Sequence, residues 1–389
     1  MELRKLKVEE IDEALELGQF AFQHTLTEDK IEVIRKQIKP EDIWVAVQNG
    51  QLFSKLHLLP VEVFAGGKKV KMCGVAGVAT WPEARRGGIV RELLMASLLD
   101  MRERGCLFSF LYPFSVSFYR KFGWEMFADT YTWKMTKEQL PEKRGLKQGQ
   151  IRRITKEEWQ ILQEVYEPFA KLFNGMIARD EEWWKQNTLI RKTGQIAVFS
   201  DSSGKDAGYL IYEIKNLKMK VFELVALHNE AKHQLWAFIA NHDSMIEEAE
   251  IHTYAGDSYR FMLPDPKVKE ENEGYFMARV VDVQKLLEEF PFSFKGEWEL
   301  TLVIDDSFCD WNDGSFVLAF QDGRISIEPH KNKAVDGVRM SIQSLSALTL
   351  GYLNVSQAVD SGLITGEEES ISQFSRLLPE QTPFIYDFF

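Results

Sequence analysis

The sequence predicts an α+β protein in which two similar lobes, each a mixed central sheet flanked by helices, precede an α/β sandwich. A chain of 389 residues is too long for one compact core and suggests about two to three domains. Its first third alternates apolar strands with amphipathic helices, and Ile151 to about Asp282 repeats this pattern with one part missing. From Trp298 onward the pattern changes to antiparallel strands. We therefore divide the chain into residues 1–145, 146–285 and 286–389.

Composition excludes some classes of protein and some classes of partner. Hydrophobic residues make up 45% of the chain and charged residues 27%, and no apolar run approaches the roughly 20 residues that span a bilayer. The N-terminus lacks the apolar core of a signal peptide, so we expect a cytoplasmic protein without a membrane partner. A net charge of -12 argues against a nucleic-acid partner and mildly favours a cationic substrate.

Cysteine and histidine usage predicts neither disulfides nor a metal site. Cys73, Cys106 and Cys309 are odd in number, far apart and set in apolar segments, which is typical of buried free thiols in a reducing compartment. The seven histidines show no metal-ligand spacing.

The first lobe begins with a strand, two helices and a three-stranded meander. Pro40 closes the second helix, and Asn49-Gly50 and Gly66-Gly67 are hairpin signals between the strands. After a central turn come a long helix that stops at Gly105, an apolar strand, a short helix and a last strand. The expected strands are Leu3–Leu6, Ile43–Val47, Gln51–Val63, Val70–Thr80, Cys106–Tyr112 and Tyr131–Met135, and the expected helices are Glu9–Phe22, Glu28–Gln37, Ile89–Arg104 and Ser115–Lys121. A polar stretch, Lys137–Gln150, ends the lobe.

The most informative stretch runs from Val78 to Arg91 and comprises a strand end, a basic Gly-Gly turn and a helix start. Unpaired N–H groups and the positive dipole end at a helix N-terminus attract anions, and glycine lets a phosphate approach the backbone closely. Arg85, Arg86 and Arg91 add positive charge. We interpret the turn as a pyrophosphate cradle. Taken alone it could be an ordinary turn with solvated arginines, and it has neither P-loop nor Rossmann spacing.

The second lobe has the meander but not the Gly-rich turn. Aligning Val225-Ala226 with Val78-Ala79 places Gln234 and Leu235 where the two glycines stand. We therefore expect a degenerate copy that has lost phosphate binding and is structural or lines the acceptor site. Its expected strands are Ile196–Ser200, Tyr209–Ile214 and Lys220–Ala226, followed by a helix at Ala231–Ile239.

The third region is predicted to be a series of antiparallel strands followed by a helix. Asn312-Asp313-Gly314 and Gln321-Asp322-Gly323 are hairpin signals, and Leu345, Leu348 and Leu350 begin the helical segment. The pattern is similar to a sterol-carrier-protein domain, a fold that can hold lipid but does not by itself indicate a lipid function. The expected strands are Leu300–Asp305, Cys309–Asn312, Ser315–Gln321, Arg324–Pro329 and Val338–Ile342.

Two motifs and the domain order carry a resemblance to a known family. Arg85-Arg86-Gly87-Gly88-Ile89-Val90 resembles the acetyl-CoA-binding signature of GNAT-type N-acetyltransferases, Arg/Gln-x-x-Gly-x-Gly/Ala, with Val90 where a small residue is usual. The element order of the first lobe is also the GNAT order. Together with FYRKFGWE at 118–125, a fused second lobe, MARVVDVQKLL at Met277–Leu287 and a sterol-carrier-like end, the whole chain resembles Eis-type (enhanced intracellular survival) acetyltransferases.

This resemblance implies that the protein is an N-acetyltransferase with acetyl-CoA as co-substrate. The backbone at the end of the strand would hold the pantetheine arm and the turn would hold the pyrophosphate. The cofactor contacts that the resemblance implies are Val78, Ala79, Thr80, Arg86, Gly87, Gly88, Ile89, Val90, Arg91, Phe114 and Ser115.

The tyrosine of the FYxxFG motif is the general acid that the resemblance implies, and here it is Tyr119. A phenol with a pKa of about 10 stays protonated at neutral pH and can donate to a thiolate whose thiol has a pKa of about 8.5. Tyr112 is the alternative acid, and Tyr119 could instead pack like its aromatic neighbours.

The implied base is the free carboxylate of the last residue, Phe389. The tail from Pro383 is too apolar for a mobile terminus and should dock in a groove. A carboxylate with a pKa near 3.5 is a weak base in water, so it would need desolvation or a relaying water to deprotonate an amine. The alternative is a tail that docks only to close the last domain.

The resemblance says less about the acceptor than about the cofactor. Family members acetylate aminoglycosides in an acidic pocket that includes an acidic residue just before the terminus, whereas here Phe388 stands at that place and Asp387 one position further back. We expect a primary amine of a cationic acceptor, namely an aminoglycoside, a polyamine or lysine. The family, whose members commonly form ring-like hexamers, also implies a homo-oligomer. The alternative function is a non-catalytic acyl-CoA or lipid-binding sensor.

Overall fold

The computed structural model describes residues 1–141, 149–292, 296–321 and 324–389. These residues form a twelve-stranded sheet shared by the first two lobes, a five-stranded sheet in the third part and a two-stranded pairing made by the C-terminal tail. The predicted α+β class is confirmed. The predicted boundary at 145/146, part of the stretch Lys137–Gln150 and part of the Gln321-Asp322-Gly323 turn lie outside the described residues. The boundary at 285 falls inside a helix, Val283–Glu289.

The first lobe contains every element that its sequence predicts. Its elements are β1 Glu2–Lys5, α1 Ile11–Phe22, α2 Glu28–Gln37, β2 Ile43–Gln48, β3 Gln51–Ala65, β4 Lys68–Thr80, α3 Ile89–Glu103, β5 Phe108–Leu111, α4 Val116–Arg120 and β6 Glu125–Thr136. Strands β2 to β4 form the antiparallel meander, and β5 pairs parallel to β4. Every bound except the start of β6 lies within two residues of the predicted one. A 3-10 turn at Val8–Glu10 precedes α1, and β6 is much longer than the predicted Tyr131–Met135.

The second lobe repeats the arrangement of the first. Its elements are β7 Gln150–Ile154, α5 Trp159–Ala170, β8 Phe173–Asn174, α6 Glu181–Trp183, α7 Leu189–Arg191, β9 Gln195–Ser200, β10 Asp206–Lys215, β11 Lys218–Ala226, α8 Asn229–Ala240, β12 Glu248–Thr253 and β13 Lys269–Val280. Strand β12 pairs parallel to β11, as β5 does to β4. Because only two residues separate β11 from α8, there is no room for a phosphate-binding turn.

The two lobes exchange strands at the centre of the large sheet. Strand β13, the last of the second lobe, lies between β5 and β6 and pairs antiparallel with both. Strand β6 of the first lobe in turn pairs antiparallel with β12 of the second. Each lobe's parallel pair is therefore continued by a strand from the other lobe, and the two lobes share one hydrogen-bonded ladder.

Strands β4 and β5 separate at the centre of the first lobe. Their parallel register runs from Met72 opposite Phe108 to Val75 opposite Leu111. Beyond Val75, β4 continues to Thr80 and, among the described residues, pairs only with β3. A bulge at this point shifts the β3 register and places Gly77 at φ 56°. One edge of β4 from residue 76 to residue 80 is thus open toward the gap.

The third part is a five-stranded sheet covered by helices. Its elements are α9 Val283–Glu289, β14 Trp298–Asp305, β15 Gly314–Gln321, β16 Arg324–His330, β17 Val338–Ser341, α10 Ile342–Thr349, α11 Val355–Asp360, β18 Ile364–Thr365, α12 Glu368–Leu377 and β19 Thr382–Pro383. The predicted strand Cys309–Asn312 is wrong. A carboxylate oxygen of Asp306 accepts bonds from the N–H groups of Phe308 and Cys309, both at 3.1 Å, and so holds that segment as a loop. The Asn312-Asp313-Gly314 signal therefore belongs to a longer connection.

One apolar core joins the first lobe to the third part. Phe108, Phe110 and Phe276 from the large sheet pack in the same cluster as Leu302 from the smaller sheet and Leu345 from α10. The three cysteines are buried and free, as predicted. Within the described ranges, no helix is long and apolar enough to cross a membrane, and no group of three or more His, Cys, Asp or Glu could hold a metal ion.

Candidate active site

The Gly-Gly turn leaves the N-terminus of α3 open. Gly88 is the residue before α3 and has φ 84°, and no described side chain caps the helix. A Cβ at Gly88 would meet nothing within 4 Å, so the backbone is free to be approached from that side. Arg86 also has a positive φ, 67°, and Nε of Arg85 donates to the carbonyl of Thr80 at 3.1 Å. The turn is therefore fixed to the strand end while its N–H groups stay available to an anion.

The N-terminus of the corresponding helix in the second lobe, α8, is capped by a side chain. Nδ1 of His228 accepts the N–H of Ala231 at 3.2 Å and so caps α8. The ammonium of Lys232 is bound to Asp257 at 2.5 Å. The prediction that the second copy lacks the phosphate turn is confirmed.

The open edge of β4 carries the three strand residues of the predicted cofactor set. Val78 is half-buried, and Ala79 and Thr80 are buried. The hydroxyl of Ser54 on β3 donates to the carbonyl of Ala79 at 2.9 Å and lies 2.7 Å from the hydroxyl of Thr80. These bonds fix the strand end from the β3 side. The backbone groups on the other side face the gap and can bond an extended amide-containing chain.

The predicted cofactor residues of the turn and of α3 fall into two groups. Gly87, Gly88, Arg86 and Arg91 are exposed at the turn, and the Arg91 guanidinium lies 5.3 Å from the ring centre of Phe308 in the third part. Ile89 is buried in the core and Val90 is half-buried, so their backbones rather than their side chains face the cradle.

Phe114 and Ser115 lie between β5 and α4. Phe114 is 73% exposed, and its ring lies 5.5 Å from that of Tyr119. The Ser115 hydroxyl accepts the N–H of Phe118 at 3.4 Å, which makes Ser115 the cap of α4. Both residues therefore border the position of Tyr119.

Tyr119 is buried in the cluster under α3. Its ring contacts those of Phe118 and Trp124, and no described residue forms a hydrogen bond with its hydroxyl. Burial raises the pKa of Tyr119 to about 12, so the phenol is protonated throughout the physiological range. Tyr112, the alternative acid, is 48% exposed and packs against Phe388 of the tail.

The tail ends at the point where β4 leaves β5. The ring of Phe389 lies against Gly74, where an added Cβ would be only 2.6 Å from the ring carbon Cε2. Gly74 immediately precedes Val75, the last residue of β4 that pairs with β5. Side chains alternate along a strand, so Gly74 points to the face opposite Val75, whose side chain packs in the cluster of α3 and Tyr119. Phe389 and Tyr119 thus approach the gap from opposite faces of the sheet.

A buried ion network in the second lobe holds the tail. Nε of Arg179 lies 3.0 Å from a carboxylate oxygen of Asp387, and its two Nη atoms bond the carboxylate of Glu223 at 3.1 and 2.5 Å. Lys192 donates to Glu223 and, at 2.9 Å, to the carbonyl of Tyr386. The side chains of Arg179, Glu223 and Asp387 are 0% exposed.

The charges of this network balance one another. Burial alone would raise the pKa of Glu223, but the neighbouring Arg179 and Lys192 charges lower it to about 2. Burial would lower the pKa of Arg179, yet the carboxylates of Asp387 and Glu223 hold it well above its ordinary value. Burial lowers the pKa of Lys192. Two carboxylates and two cations form a neutral unit, which makes their burial tolerable.

Asp387 is fully occupied by this network. Besides Arg179, it accepts bonds from the indole N–H of Trp183 and the hydroxyl of Thr188, each at 3.1 Å. It therefore offers no free carboxylate to an acceptor. Sequence analysis missed Arg179, Glu223 and Lys192, although a charge inside the apolar run of residues 221–226 was a readable signal.

Comparison with known sequences finds three matching domain families. Residues 2–127 and residues 175–280 each match an acetyltransferase (GNAT) domain, and residues 283–386 match a sterol carrier protein domain. An uncharacterized N-acetyltransferase of Streptomyces avermitilis is 21% identical over 357 residues, covering 86% of this chain and 84% of the relative. One of Streptomyces griseus is 22% identical and covers 76% of each chain.

Solved structures share the whole fold. A probable N-acyltransferase of Enterococcus faecalis superposes with a TM-score of 0.91 at 25% identity, covering 100% of this chain and 99% of the other. A GCN5-related N-acetyltransferase of Anabaena variabilis gives 0.87 at 24% identity, and Eis1 of Mycobacterium abscessus gives 0.82 at 19%, with both chains fully covered in each case. With two GNAT domains, a sterol-carrier-protein domain and the cradle described above, the chain belongs to the GNAT N-acetyltransferases and has the Eis-type architecture.

Proposed function

We propose that this acyltransferase uses acetyl-CoA to acetylate a primary amine of a cationic acceptor, with Tyr119 as general acid and the terminal carboxylate of Phe389 as base. The observation that carries the proposal is the position of the last residue. Its ring lies on Gly74, one residue before β4 leaves β5, on the face opposite Tyr119. Donor and acceptor can then meet in the gap from the two sides of the sheet.

The reaction balances with these two groups. The acceptor ammonium loses a proton to the carboxylate, directly or through water, and the freed lone pair attacks the thioester carbon. The carbon–sulfur bond breaks, and the leaving thiolate takes a proton from the Tyr119 hydroxyl. The nitrogen loses its second proton as the amide forms, and this proton passes through water to the tyrosinate and restores the acid. The raised pKa of that hydroxyl keeps it protonated until this step. The N-terminus of α3 and the arginines of the turn would hold the pyrophosphate of the donor.

The experiment measures release of CoA thiol from acetyl-CoA with a panel of aminoglycosides, polyamines and lysine peptides. Tyr119→Phe should lower kcat by about 10²- to 10⁴-fold while the Kd for acetyl-CoA stays unchanged. Tyr112→Phe is the matched control and should keep most of the activity. An unchanged rate in Tyr119→Phe would remove its role as acid.

The role of the terminal carboxylate has its own pair of variants. Deleting Phe389 moves the carboxylate one residue back, whereas Phe389→Ala keeps a terminal carboxylate and removes only the ring. We expect the deletion to lower kcat more than the alanine variant does. A fully active deletion variant would leave the tail with a purely structural role.

The non-catalytic sensor alternative has little support. The apolar side chains of the third part pack among themselves and against the large sheet, as Leu302, Phe316 and Leu345 do in the shared core. A homo-oligomer, with the hexamer as the form that the family implies, and a cytoplasmic location stay predictions. Light scattering coupled to gel filtration would measure the former.

A further inference from the structure

A cavity of about 300 Å³ lies on the sheet face that carries Phe389. Its sheet side is formed by the middle of β3, from His57 to Val61, and its opposite wall by residues from Asp180 to Asn187. A volume of this size is at the lower end of the range for small-molecule sites.

The wall of this cavity is also the support of the last two residues. The ring of Trp183 lies 6.1 Å from that of Phe389, at an interplanar angle of 74°. The side-chain amide of Asn187 donates to the carbonyl of Phe388 at 3.1 Å. Two residues that line the cavity, Trp183 and Asn187, therefore also contact the last two residues of the chain.

His57 occupies the sheet side of the cavity. It pairs with Ala76, the first residue of β4 beyond the β5 pairing, and it points to the same face as Gly74 because Leu59 and Gly74 are also paired. Neither ring nitrogen has a hydrogen-bond partner among the described residues. Burial lowers the pKa of His57 to about 4, with Lys55 acting in the same direction and Asp42 against it. The imidazole is therefore neutral at physiological pH and has a nitrogen free to accept a bond.

The charges around the cavity favour a cation. Asp42, Asp180 and Glu182 line it, with Lys39 as the lining cation. Asp42 is already bound to Arg104 at 2.6 Å. The Lys39–Glu182 pair is long, 3.7 Å, and both side chains are more than half exposed, so a bound cation can replace Lys39 at little cost.

We propose that this cavity is the acceptor site, that His57 accepts a hydrogen bond from the reacting amine, and that Asp180 and Glu182 hold a second cationic group of the same molecule. The proposal rests on the proposed function. It names as acceptor a slender aliphatic amine with two separated positive charges, rather than a three-ring aminoglycoside.

The test compares 1,5-diaminopentane with 1-aminopentane in the thiol-release assay on full-length protein. Wild type should show a KM for the diamine about tenfold below that for the monoamine, the size of one charge-assisted hydrogen bond. His57→Gln should raise both KM values about tenfold, whereas Glu182→Gln should raise only that of the diamine. The KM for acetyl-CoA should not change in either variant. His330→Gln, an exposed histidine in the third part, is the matched control.

Two results would overturn the inference. The first is amine turnover in wild type with unchanged KM values in His57→Gln and Glu182→Gln, which leaves the proposed function intact. If wild type releases no thiol with any amine, the proposed function fails instead, and calorimetric titration with 1,5-diaminopentane decides about the cavity. Binding that His57→Gln weakens would support the site, and absent binding is the second overturning result. Should His57→Gln fail to fold, Glu182→Gln carries the comparison, because its side chain is 55% exposed.

Discussion

Replacing Asp387 by asparagine tests whether the second lobe positions the last residue, the proposed base. The substitution keeps the shape of the side chain but removes its charge. One carboxylate oxygen of Asp387 faces Nε of Arg179 and the other accepts from Trp183 and Thr188. An amide has only one oxygen, so in either orientation its NH₂ group faces a donor. The buried network also changes from neutral to a net charge of one.

The expected loss of stability in Asp387→Asn depends on which contacts of the ion network the variant keeps. Breaking a buried ion pair by removing one partner costs about 3–5 kcal/mol. Arg179 keeps its two bonds to Glu223, and Lys192 can release a proton to restore neutrality, so we expect a loss of about 3 kcal/mol, at the lower end of that range. Asp336→Asn, on an exposed carboxylate, is the control and should change the unfolding free energy by less than about 0.5 kcal/mol.

Two assays separate positioning from stability. Denaturant unfolding measures the free energy, and thiol release at a temperature where both proteins are folded measures kcat and the KM for acetyl-CoA. We expect kcat to fall at least about tenfold with that KM unchanged, since a shift of about 1 Å at a reacting group has effects of this size or larger. A destabilised variant with wild-type kcat would refute the idea that Asp387 positions the terminus.

Further substitutions probe the cradle, the tail contact and the ion network. Gly88→Ala should raise the Kd for acetyl-CoA about tenfold in calorimetry, because the added Cβ occupies the space through which a phosphate would approach the backbone. Gly204→Ala is the control. Gly204 has a similar φ of 85° and equally open surroundings, so its variant should share the backbone strain but not the loss of affinity. Gly74→Ala should lower kcat about tenfold or more, because its Cβ displaces the Phe389 ring, and an unchanged rate would contradict the contact described here. The lowered pKa of Glu223 adds stability above its ordinary value of 4.5, and this contribution should be lost as the pH falls from 4.5 toward 2. Acid unfolding followed by circular dichroism should show a shallower slope in Glu223→Gln, and identical slopes would count against the ionised pair.

Local signals explain what could be predicted from sequence. The β4–turn–α3 unit depends on residues close together in the chain, where Pro82 ends the strand, two glycines form the turn and apolar residues recur at helical spacing. Its bounds, Lys68–Thr80 and Ile89–Glu103, agree closely with the predicted ones. The docking of the aromatic tail was equally predictable, because six apolar residues near a terminus need a partner surface.

Long-range pairing explains what could not be predicted. Nothing near Phe108 indicates that its neighbour in the sheet is Val280 of the second lobe, because strand pairing leaves no local trace. The ion network has the same difficulty, since Arg179 and Asp387 meet only after both lobes and the tail are in place. The prediction of a strand at Cys309–Asn312 was wrong because of local hydrogen bonds rather than long-range ones. The apolar residues of this segment suggest a strand, but the Asp306 side chain binds the N–H groups of Phe308 and Cys309, and the N–H of Asn312 bonds back to the carbonyl of Cys309, which closes a turn.

The strand exchange determines the order in which the molecule can be made. While the chain emerges from a ribosome, β5 has no antiparallel neighbour until β13 has been synthesised. The β5 edge of the first lobe therefore stays unpaired through the synthesis of the whole second lobe. A gene fragment that encodes only the first domain would leave that edge permanently open and should yield an aggregating product. The two lobes therefore have to be encoded and folded together. The second lobe can do without a phosphate-binding turn, but its last strand is needed to complete the sheet of the first lobe.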